Sequence, residues 1–212
     1  NQWTLKKCLP FLAGDILEVG CGIGNFTKDL TEYGNVWAVD IEDEYITQTK
    51  KKAGKAHVGL GDIEKGEYFF KNKKFDCVVC LNVLEHIKDD EKAFQNLFNL
   101  LNMGGNLILL VPAFDFLYGE IDKSIGHFRR YNKEVLKDKL NKIGFKIAEN
   151  RIINMLGAIG WWIFAKLFSN SKVGQGQINI FNLIAPLILP LEDIMEPPFG
   201  TSILIIAIKT NR

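Results

Sequence analysis

The chain has 212 residues, of which 47% are hydrophobic and 24% are charged, and its formal net charge is +1. This length and apolar content are enough for one domain with a sizeable core. The near-neutral balance, with lysines scattered among acids, excludes the basic surface typical of nucleic-acid binding, so we predict no nucleic-acid partner. The sequence shows no signal peptide and no internal repeat, and we expect a cytoplasmic protein.

The first predicted strand leads into a glycine-rich turn. Segment 16–19 is mostly apolar, as a buried strand is, and Gly20, Gly22 and Gly24 follow at alternate positions. Glycine lets the backbone turn tightly and approach a ligand, and the next helix directs its positively polarised N-terminus at the same point. No Gly-Lys-Ser/Thr follows, and Asn25 stands where a dinucleotide fingerprint needs its third glycine. The turn therefore predicts a nucleotide-type ligand. It disfavours both a phosphate-binding loop and a dinucleotide-binding fingerprint.

The following segments alternate between strand and helix patterns, as in a parallel α/β sheet. A strand over 36–40 ends in Asp40, about twenty residues after the first glycine, which is the spacing of ribose recognition. A short strand over 56–60 precedes Asp62, whose Gly-Asp pair is by itself typical of a turn. A fourth strand begins at Phe75 and ends near Asn82.

The rest of the chain continues this alternation. Helices are predicted over 43–53, from 90 to about 101, and over 133–143 with Asn132 as the N-cap. We expect the second of these helices to end at Gly104-Gly105, before a fifth strand that reaches Pro112. A sixth strand is predicted over 145–148 and a last, β-branched strand over 201–209.

The order and spacing of these segments resemble those of the class I S-adenosylmethionine (SAM)-dependent methyltransferases over residues 16–112. The resemblance implies a Rossmann-like α/β fold with a seven-stranded, mostly parallel sheet, helices on both faces, and an antiparallel last strand between the fifth and sixth. It implies SAM as the cofactor, with Asp40 on the ribose, Asp62 on the adenine amino group and Ile63 packed on the ring. The full set of implied cofactor residues is Glu18, Gly20, Cys21, Gly22, Asp40, Ile41, Asp62, Ile63 and Asn82.

Two polar residues follow the fourth strand in the segment Asn-Val-Leu-Glu-His-Ile. Glu85 and His86 can line the same cleft, or they can stabilise the turn into the next helix. We favour the second interpretation. Family members usually carry more chain before the first strand, which favours a truncated N-terminus.

A polar loop after the fifth strand is the predicted acceptor side. Segment 118–131 lies at the carboxyl edge of the sheet, where functional loops gather, and is similar to the Gly-His-x-Arg-Arg-Tyr segment of one branch of these methyltransferases. His127 is the candidate general base because imidazole titrates near neutrality. Arg130 and Tyr131 are the candidate substrate contacts. In the alternative interpretation, His127 and Arg130 only tie the loop to the core, and both interpretations stay open.

An apolar, aromatic segment over 152–198 predicts a helical insertion before the last strand of a single domain, 1–212. Its first run is too short to span a bilayer, and prolines interrupt the second. Trp161 and Trp162 are expected to contact an apolar acceptor, a second copy of the chain or the inner membrane surface. The alternative is that the insertion only covers the sheet. We therefore expect a small-molecule or lipid-linked acceptor, peripheral membrane contact, and either a monomer or a homodimer.

The four cysteines do not form a metal site in this interpretation. Cys77 and Cys80 look like a C-x-x-C pair, but residues three apart in a strand point to opposite faces. No second pair or cysteine–histidine cluster completes a zinc site, so we predict free thiols and no metal.

The resemblance implies methyl transfer, and the sequence narrows the acceptor. The Asn-Pro-Pro-Tyr/Phe signature of exocyclic-amine and DNA-base methylation is absent after the fourth strand. We therefore favour O-methylation of a small or lipid-linked molecule in glycan, envelope or isoprenoid metabolism, with C- or N-methylation left open. The alternatives are a non-catalytic SAM-binding partner subunit and a nicotinamide-dependent oxidoreductase. Asn25 and the segment from Asn82 onwards disfavour the oxidoreductase.

Overall fold

The computed structural model describes residues 2–155, 157–158, 192 and 196–210. Most of the predicted insertion, including Trp161 and Trp162, lies outside the described residues. The described helices are α1 (Gln2–Cys8), α2 (Asn25–Leu30), α3 (Asp43–Lys52), α4 (Asp90–Leu100), α5 (Glu120–Ser124) and α6 (Lys133–Ile143). The strands are β1 (Asp15–Val19), β2 (Asn35–Asp40), β3 (His57–Asp62), β4 (Glu67–Tyr68), β5 (Phe75–Leu81), β6 (Leu101–Pro112), β7 (Phe145–Ile153) and β8 (Ser202–Lys209).

The described strands form one sheet in the order β4-β3-β2-β1-β5-β6-β8-β7. Strands β3, β2, β1, β5 and β6 pair in parallel, so their carboxyl ends meet at one edge. Strand β8 runs antiparallel between β6 and β7, as predicted for the last strand. The eighth strand is the two-residue β4, which the sequence analysis missed because so short an edge strand has no measurable hydrophobic period.

The two faces of the sheet bury separate apolar clusters. On one face, Leu17 of β1 packs with Phe94 of α4 and Leu136 of α6. On the other face, Ile16 packs with Leu5 of α1 and Leu30 of α2. The alternation of side chains along β1 produces this division, and it confirms that helices cover both faces.

The boundary between α4 and β6 differs from the prediction. The helix ends at Leu100, and β6 begins at Leu101, which is 1% exposed and pairs with Phe75 of β5. The register then shifts, so that Cys77 pairs with Asn106. The Gly104-Gly105 pair therefore lies in an irregular part of the strand, where Gly104 has φ +77°, and does not close the helix.

No helix in the described part of the chain is long and apolar enough to cross a membrane. The four cysteines are all described, all buried and all free. Cys77 packs on the face covered by α1 and α2, whereas Cys80 packs on the face covered by α4 and α6. This confirms that the two thiols point to opposite sides of β5.

Candidate cofactor and acceptor site

The glycine-rich turn joins β1 to α2 at the carboxyl edge of the sheet. Gly20, Gly22 and Gly24 all have positive φ, at +74°, +50° and +74°. The amides of Gly20 and Cys21 both donate to the Val39 carbonyl, at 2.8 and 3.1 Å, which ties the turn to β2. A Cβ at Gly20 would lie 2.3 Å from Cγ2 of Val83, whereas one at Gly22 would meet nothing within 4 Å. The Gly22 side of the turn is therefore open to a ligand.

Asp40 ends β2 and holds the turn in place. Its Oδ2 accepts a 2.8 Å hydrogen bond from the Gly22 amide, and its Oδ1 accepts one of 3.2 Å from the Glu42 amide. A carboxylate oxygen can accept two hydrogen bonds, so both oxygens retain capacity for ribose hydroxyls. The neighbouring Ile41 is 66% exposed, which leaves its side chain free to pack on a ligand.

Glu18 lies beneath the turn and is 4% exposed. Burial raises the pKa of Glu18 to about 8, the negative charge of Asp40 adds to the rise, and a hydrogen bond from Thr27 opposes it. The Thr27 hydroxyl donates that bond to Oε2 over 2.5 Å. Near neutral pH the Glu18 carboxyl group is therefore largely protonated.

A cavity of about 320 Å³ brings four of the predicted cofactor residues together. It is formed by the end of β1, the turn, and parts of α2, α3 and β5. Its lining residues are Glu18, Val19, Gly20, Cys21, Gly22, Ile23, Asn25, Phe26, Tyr45 and Leu81. The sequence analysis missed Tyr45, which is 40% exposed on α3; its position in the helix directly after Asp40 is the signal that would have found it.

The two residues that the family resemblance assigns to adenine, Asp62 and Ile63, do not line this cavity. Asp62 closes a local turn, since its Oδ1 accepts from the amides of Glu64 and Lys65 at 2.9 and 3.0 Å. Its Oδ2 forms a 3.0 Å ion pair with Lys65. Ile63 is 4% exposed and packs in the core. The structure thus shows the turn interpretation of Asp62, and contacts of Asp62 and Ile63 with adenine stay a prediction.

Asn82 follows β5 and has φ +55°, which is tolerated better by asparagine than by most residues. The backbone amide of Asn82 donates to the Leu110 carbonyl over 2.8 Å, which fixes this strand end beside β6. Asn82 therefore sits at the same edge as the glycine-rich turn, although it does not line the 320 Å³ cavity.

The loop after β6 carries His127 into a polar cluster. The Phe128 amide donates to the Glu85 carbonyl over 2.7 Å, which fastens the loop to the turn after β5. His127 Nδ1 lies 3.1 Å from Oδ1 of Asp122, and Arg130 Nε donates to the same oxygen over 2.8 Å. The structure therefore shows His127 tied to the loop and held in a fixed orientation, and its role as general base stays a prediction.

The surroundings shift the pKa values of two carboxyl groups in this cluster, those of Asp122 and Glu85. Burial by itself would raise the pKa of Asp122, but hydrogen bonds from Arg130, Gly119 and His127 outweigh it and hold the pKa below its usual range. An ionised Asp122 can only accept, so Nδ1 of His127 carries a proton and donates it in this hydrogen bond. Burial raises the pKa of Glu85 to about 7, and the charge of Asp122 adds to this.

Tyr131 does not occupy the position expected of a substrate contact, and this prediction is corrected. The residue is 6% exposed, and its hydroxyl lies 3.1 Å from the Leu84 carbonyl and 3.2 Å from Oδ2 of Asp90. The aromatic ring packs in the core near β5 and α4. Burying so large an apolar ring stabilises the fold, which explains its position.

Arg130, in contrast, lines a second and larger cavity of about 660 Å³. This cavity lies where β6 ends and β8 begins, and the remaining described residues of its wall are all uncharged. They are Pro112, Phe114, Phe116, Leu117, Ala158, Pro198, Phe199, Gly200, Thr201 and Ser202. The wall is predominantly apolar, as a pocket for an apolar ligand is.

Residues 17–109 match the family model described as a methyltransferase domain. An uncharacterized protein of Methanocaldococcus jannaschii is 30% identical over 144 residues, which cover 68% of this chain and 60% of that protein. The ubiquinone biosynthesis O-methyltransferase of Coxiella burnetii is 30% identical over 95 residues, which cover 43% of this chain and 41% of the enzyme. The chain thus spans less than two thirds of the length of each of these curated relatives.

The fold is also similar to that of solved methyltransferase structures. An S-adenosylmethionine-dependent methyltransferase from Clostridium acetobutylicum superposes with a TM-score of 0.63 over 99% of this chain and 90% of that chain, at 18% identity. The family match identifies residues 17–109 as a methyltransferase domain, and the sheet order and the glycine-rich turn after β1 give it the fold of class I SAM-dependent methyltransferases. Its cofactor is SAM, and the open turn with Asp40 and the adjoining cavity fits that molecule.

Proposed function

We propose that this chain transfers the methyl group of SAM to an oxygen atom of a small apolar or lipid-linked acceptor. One observation carries the proposal: the charged residue on the wall of the 660 Å³ apolar cavity, Arg130, is bonded to the carboxylate that orients His127. An acceptor whose apolar body occupies this cavity would direct its polar end towards Arg130 and His127.

The ends of the predicted insertion support an apolar acceptor. Ala158 precedes the segment outside the described residues, and Pro198 and Phe199 follow it; all three line the cavity. Described residues on both sides of that segment therefore lie at the wall of the cavity. We propose that Trp161 and Trp162 extend the wall and that the acceptor is drawn from glycan, envelope or isoprenoid metabolism, at the inner membrane surface.

Methyl transfer from SAM requires two things of the protein: alignment of the acceptor and removal of its proton. SAM supplies an already activated methyl group, so the acceptor oxygen has to be aligned with the methyl carbon and relieved of its proton. Asp122 keeps the proton of His127 on Nδ1, and Nε2 then accepts the proton of the acceptor hydroxyl. The relationship to an O-methyltransferase of Coxiella burnetii supports an oxygen acceptor.

The test measures SAM binding and methyl transfer separately. We expect isotopically labelled methyl groups to pass from SAM to apolar phenols or isoprenoid alcohols, and to do so about 10²–10⁴-fold more slowly in His127→Ala, which is the usual contribution of a general base. His57→Ala is the matched control, because His57 is exposed on β3 and stacks on Trp37, away from this cluster.

SAM binding should survive in both variants. Full turnover in His127→Ala with the fold intact would leave the histidine a structural residue. SAM binding without transfer to any hydroxyl acceptor would favour the partner-subunit alternative.

A further inference from the structure

Three side chains of metal-binding types, one glutamate and two histidines, meet beside the predicted acceptor side of the domain. Glu85 and His86 belong to the short helical turn Leu84–His86 after β5, and His127 comes from the loop after α5. One ligand atom from each residue lies within 4.8 Å of the other two. Two imidazole nitrogens and one carboxylate oxygen form a ligand set that suits divalent first-row transition metals.

The two histidines are oriented as metal ligands usually are. Histidine ligands commonly hydrogen-bond through the second ring nitrogen to a carboxylate or a backbone carbonyl. Asp122 holds Nδ1 of His127 at 3.1 Å, and Nε2 of the same ring lies 3.9 Å from Oε1 of Glu85. The Gly126 backbone accepts a hydrogen bond from His86, whose ring packs edge-on against that of His127 at 4.7 Å.

Glu85 supplies an independent observation. The side chain is 1% exposed, and its Oε2 has no hydrogen-bond partner among the described residues. Leaving a buried carboxylate oxygen unpartnered is costly, and a cation is one of the few ligands that would satisfy it. His86 is exposed, so one of the three side chains reaches the solvent.

We propose that Glu85, His86 and His127 bind one divalent transition-metal cation, with Asp122 as the residue that positions His127. Zn²⁺ holds such ligands at about 2.0–2.2 Å, so the ligand atoms have to close by roughly 1 Å when the ion enters. Three protein ligands leave at least one coordination position for an oxygen atom from outside, as in catalytic zinc sites. This site replaces our expectation from the sequence that the chain has no metal.

The role of the cation rests on the proposed function. An acceptor hydroxyl bound to the cation loses its proton to water more readily. The resulting oxygen attacks the methyl carbon, so that an O–C bond forms and the C–S bond of the sulfonium breaks, leaving a neutral thioether. His127 is then a metal ligand, and the cation takes over the activation that we otherwise assign to its Nε2.

The test begins with binding and needs neither SAM nor acceptor. The full chain is stripped with a chelator and titrated with Zn²⁺ by calorimetry and with Co²⁺ by visible absorption, which reports nitrogen and oxygen ligation. We expect one ion per chain, at least about tenfold weaker binding in His86→Ala and Glu85→Gln, and about 10–100-fold weaker binding in Asp122→Asn. His57→Ala and Cys77→Ala are the matched controls and should bind as the wild type does.

His86 is exposed, so His86→Ala should fold even if the buried variants do not. Absence of stoichiometric binding in the wild type, or binding that is equal in His86→Ala and His57→Ala, would overturn the site. That result would leave methyl transfer with His127 as the base untouched. A bound ion with no methyl transfer to any hydroxyl acceptor would instead refute the proposed function and retain the site.

Discussion

Asp40 combines two tasks in one carboxylate. It supports the glycine-rich turn through the Gly22 amide, and it is the residue that the family resemblance assigns to the ribose. Its exposure of 8% shows that the carboxylate is sheltered from water, which strengthens both kinds of hydrogen bond. Replacing it therefore affects the shape of the site as well as its contacts.

We expect Asp40→Ala to weaken SAM binding by about 1–3 kcal/mol, the scale of lost charge-assisted hydrogen bonds. Isothermal titration calorimetry measures this directly, and NAD should give no binding signal with the wild type. Glu44→Ala, on the exposed side of the adjacent helix, is the control. Unchanged SAM affinity in a folded Asp40→Ala protein would remove Asp40 from the ribose site.

Glu18 makes the stability of the empty domain depend on pH. Its pKa rises from the usual 4.5 to about 8 on folding, so between these values the folded state holds a proton that the unfolded state has released. The stabilisation is fully present below the lower value and is lost as the pH rises through the upper one. Each unit of difference in pKa corresponds to about 1.4 kcal/mol, which sets the scale of the effect.

We expect urea denaturation of the SAM-free protein to show a lower free energy of unfolding at about pH 8.5 than at about pH 6. Glu18→Gln removes the titrating group and keeps an acceptor for Thr27, so its loss over the same interval should be smaller. Glu85 shifts in the same direction and should leave a residual dependence in that variant. Parallel pH profiles for the two proteins would show that Glu18 is ionised in the folded state.

The turn between β1 and α2 is an element in which neighbouring glycines face different surroundings. Gly20 and Gly22 both adopt left-handed backbone conformations, so alanine is strained at either position. Only the Gly20 position is also closed, by the Val83 side chain that follows β5. The contact between the turn and the neighbouring strand end therefore depends on the absence of a Cβ at residue 20.

We expect Gly20→Ala to destabilise the domain by about 1–3 kcal/mol more than Gly22→Ala, the usual cost of overpacking. Thermal or urea denaturation of the two variants gives the comparison, with backbone strain common to both. In the double variant Gly20→Ala/Val83→Ala the added methyl group meets a smaller side chain, so part of the difference should be recovered. Equal destabilisation by the two single substitutions would contradict the contact with Val83.

In the described part of the molecule, the two cavities are built from different parts of the chain. The 320 Å³ cavity is formed by residues before position 82, and the 660 Å³ cavity by residues after position 111. The sheet joins the two, because β5 lies between β1 and β6. The exposed Phe116, at 76%, stands on the wall of the apolar cavity and continues its apolar character to the surface.

We expect at least one of Trp161→Ser and Trp162→Ser to weaken binding of isoprenoid-like acceptor analogues and of liposomes. Neighbouring residues of the predicted helix lie about 100° apart, so the two rings have different surroundings. The melting temperature serves as the control for folding. If the wild type binds neither ligand, or if the substitutions change stability alone, the insertion is a cover of the sheet and the lipid interpretation fails.

The local pattern of the sequence determined most helices and strands and the glycine-rich turn with Asp40. The apolar run and glycines of 16–24, the carboxylate at Asp40 and the N-cap Asn132 act on backbone neighbours, so their consequences can be worked out along the chain. The Asn132 side chain does accept from the amides of Glu134 and Val135 at the start of α6. Parallel strands then carry the ligand-binding ends to one edge whatever else surrounds them.

Only the tertiary structure decided which distant side chains meet. Glu85 and His127 are separated by about forty residues, and no local pattern relates them until the loop hydrogen-bonds to the turn after β5. The same holds for Tyr131, which the sequence analysis predicted as a substrate contact but whose ring packs in the core. Burial and contact between remote segments are properties of packing, and the sequence encodes them only through the whole fold.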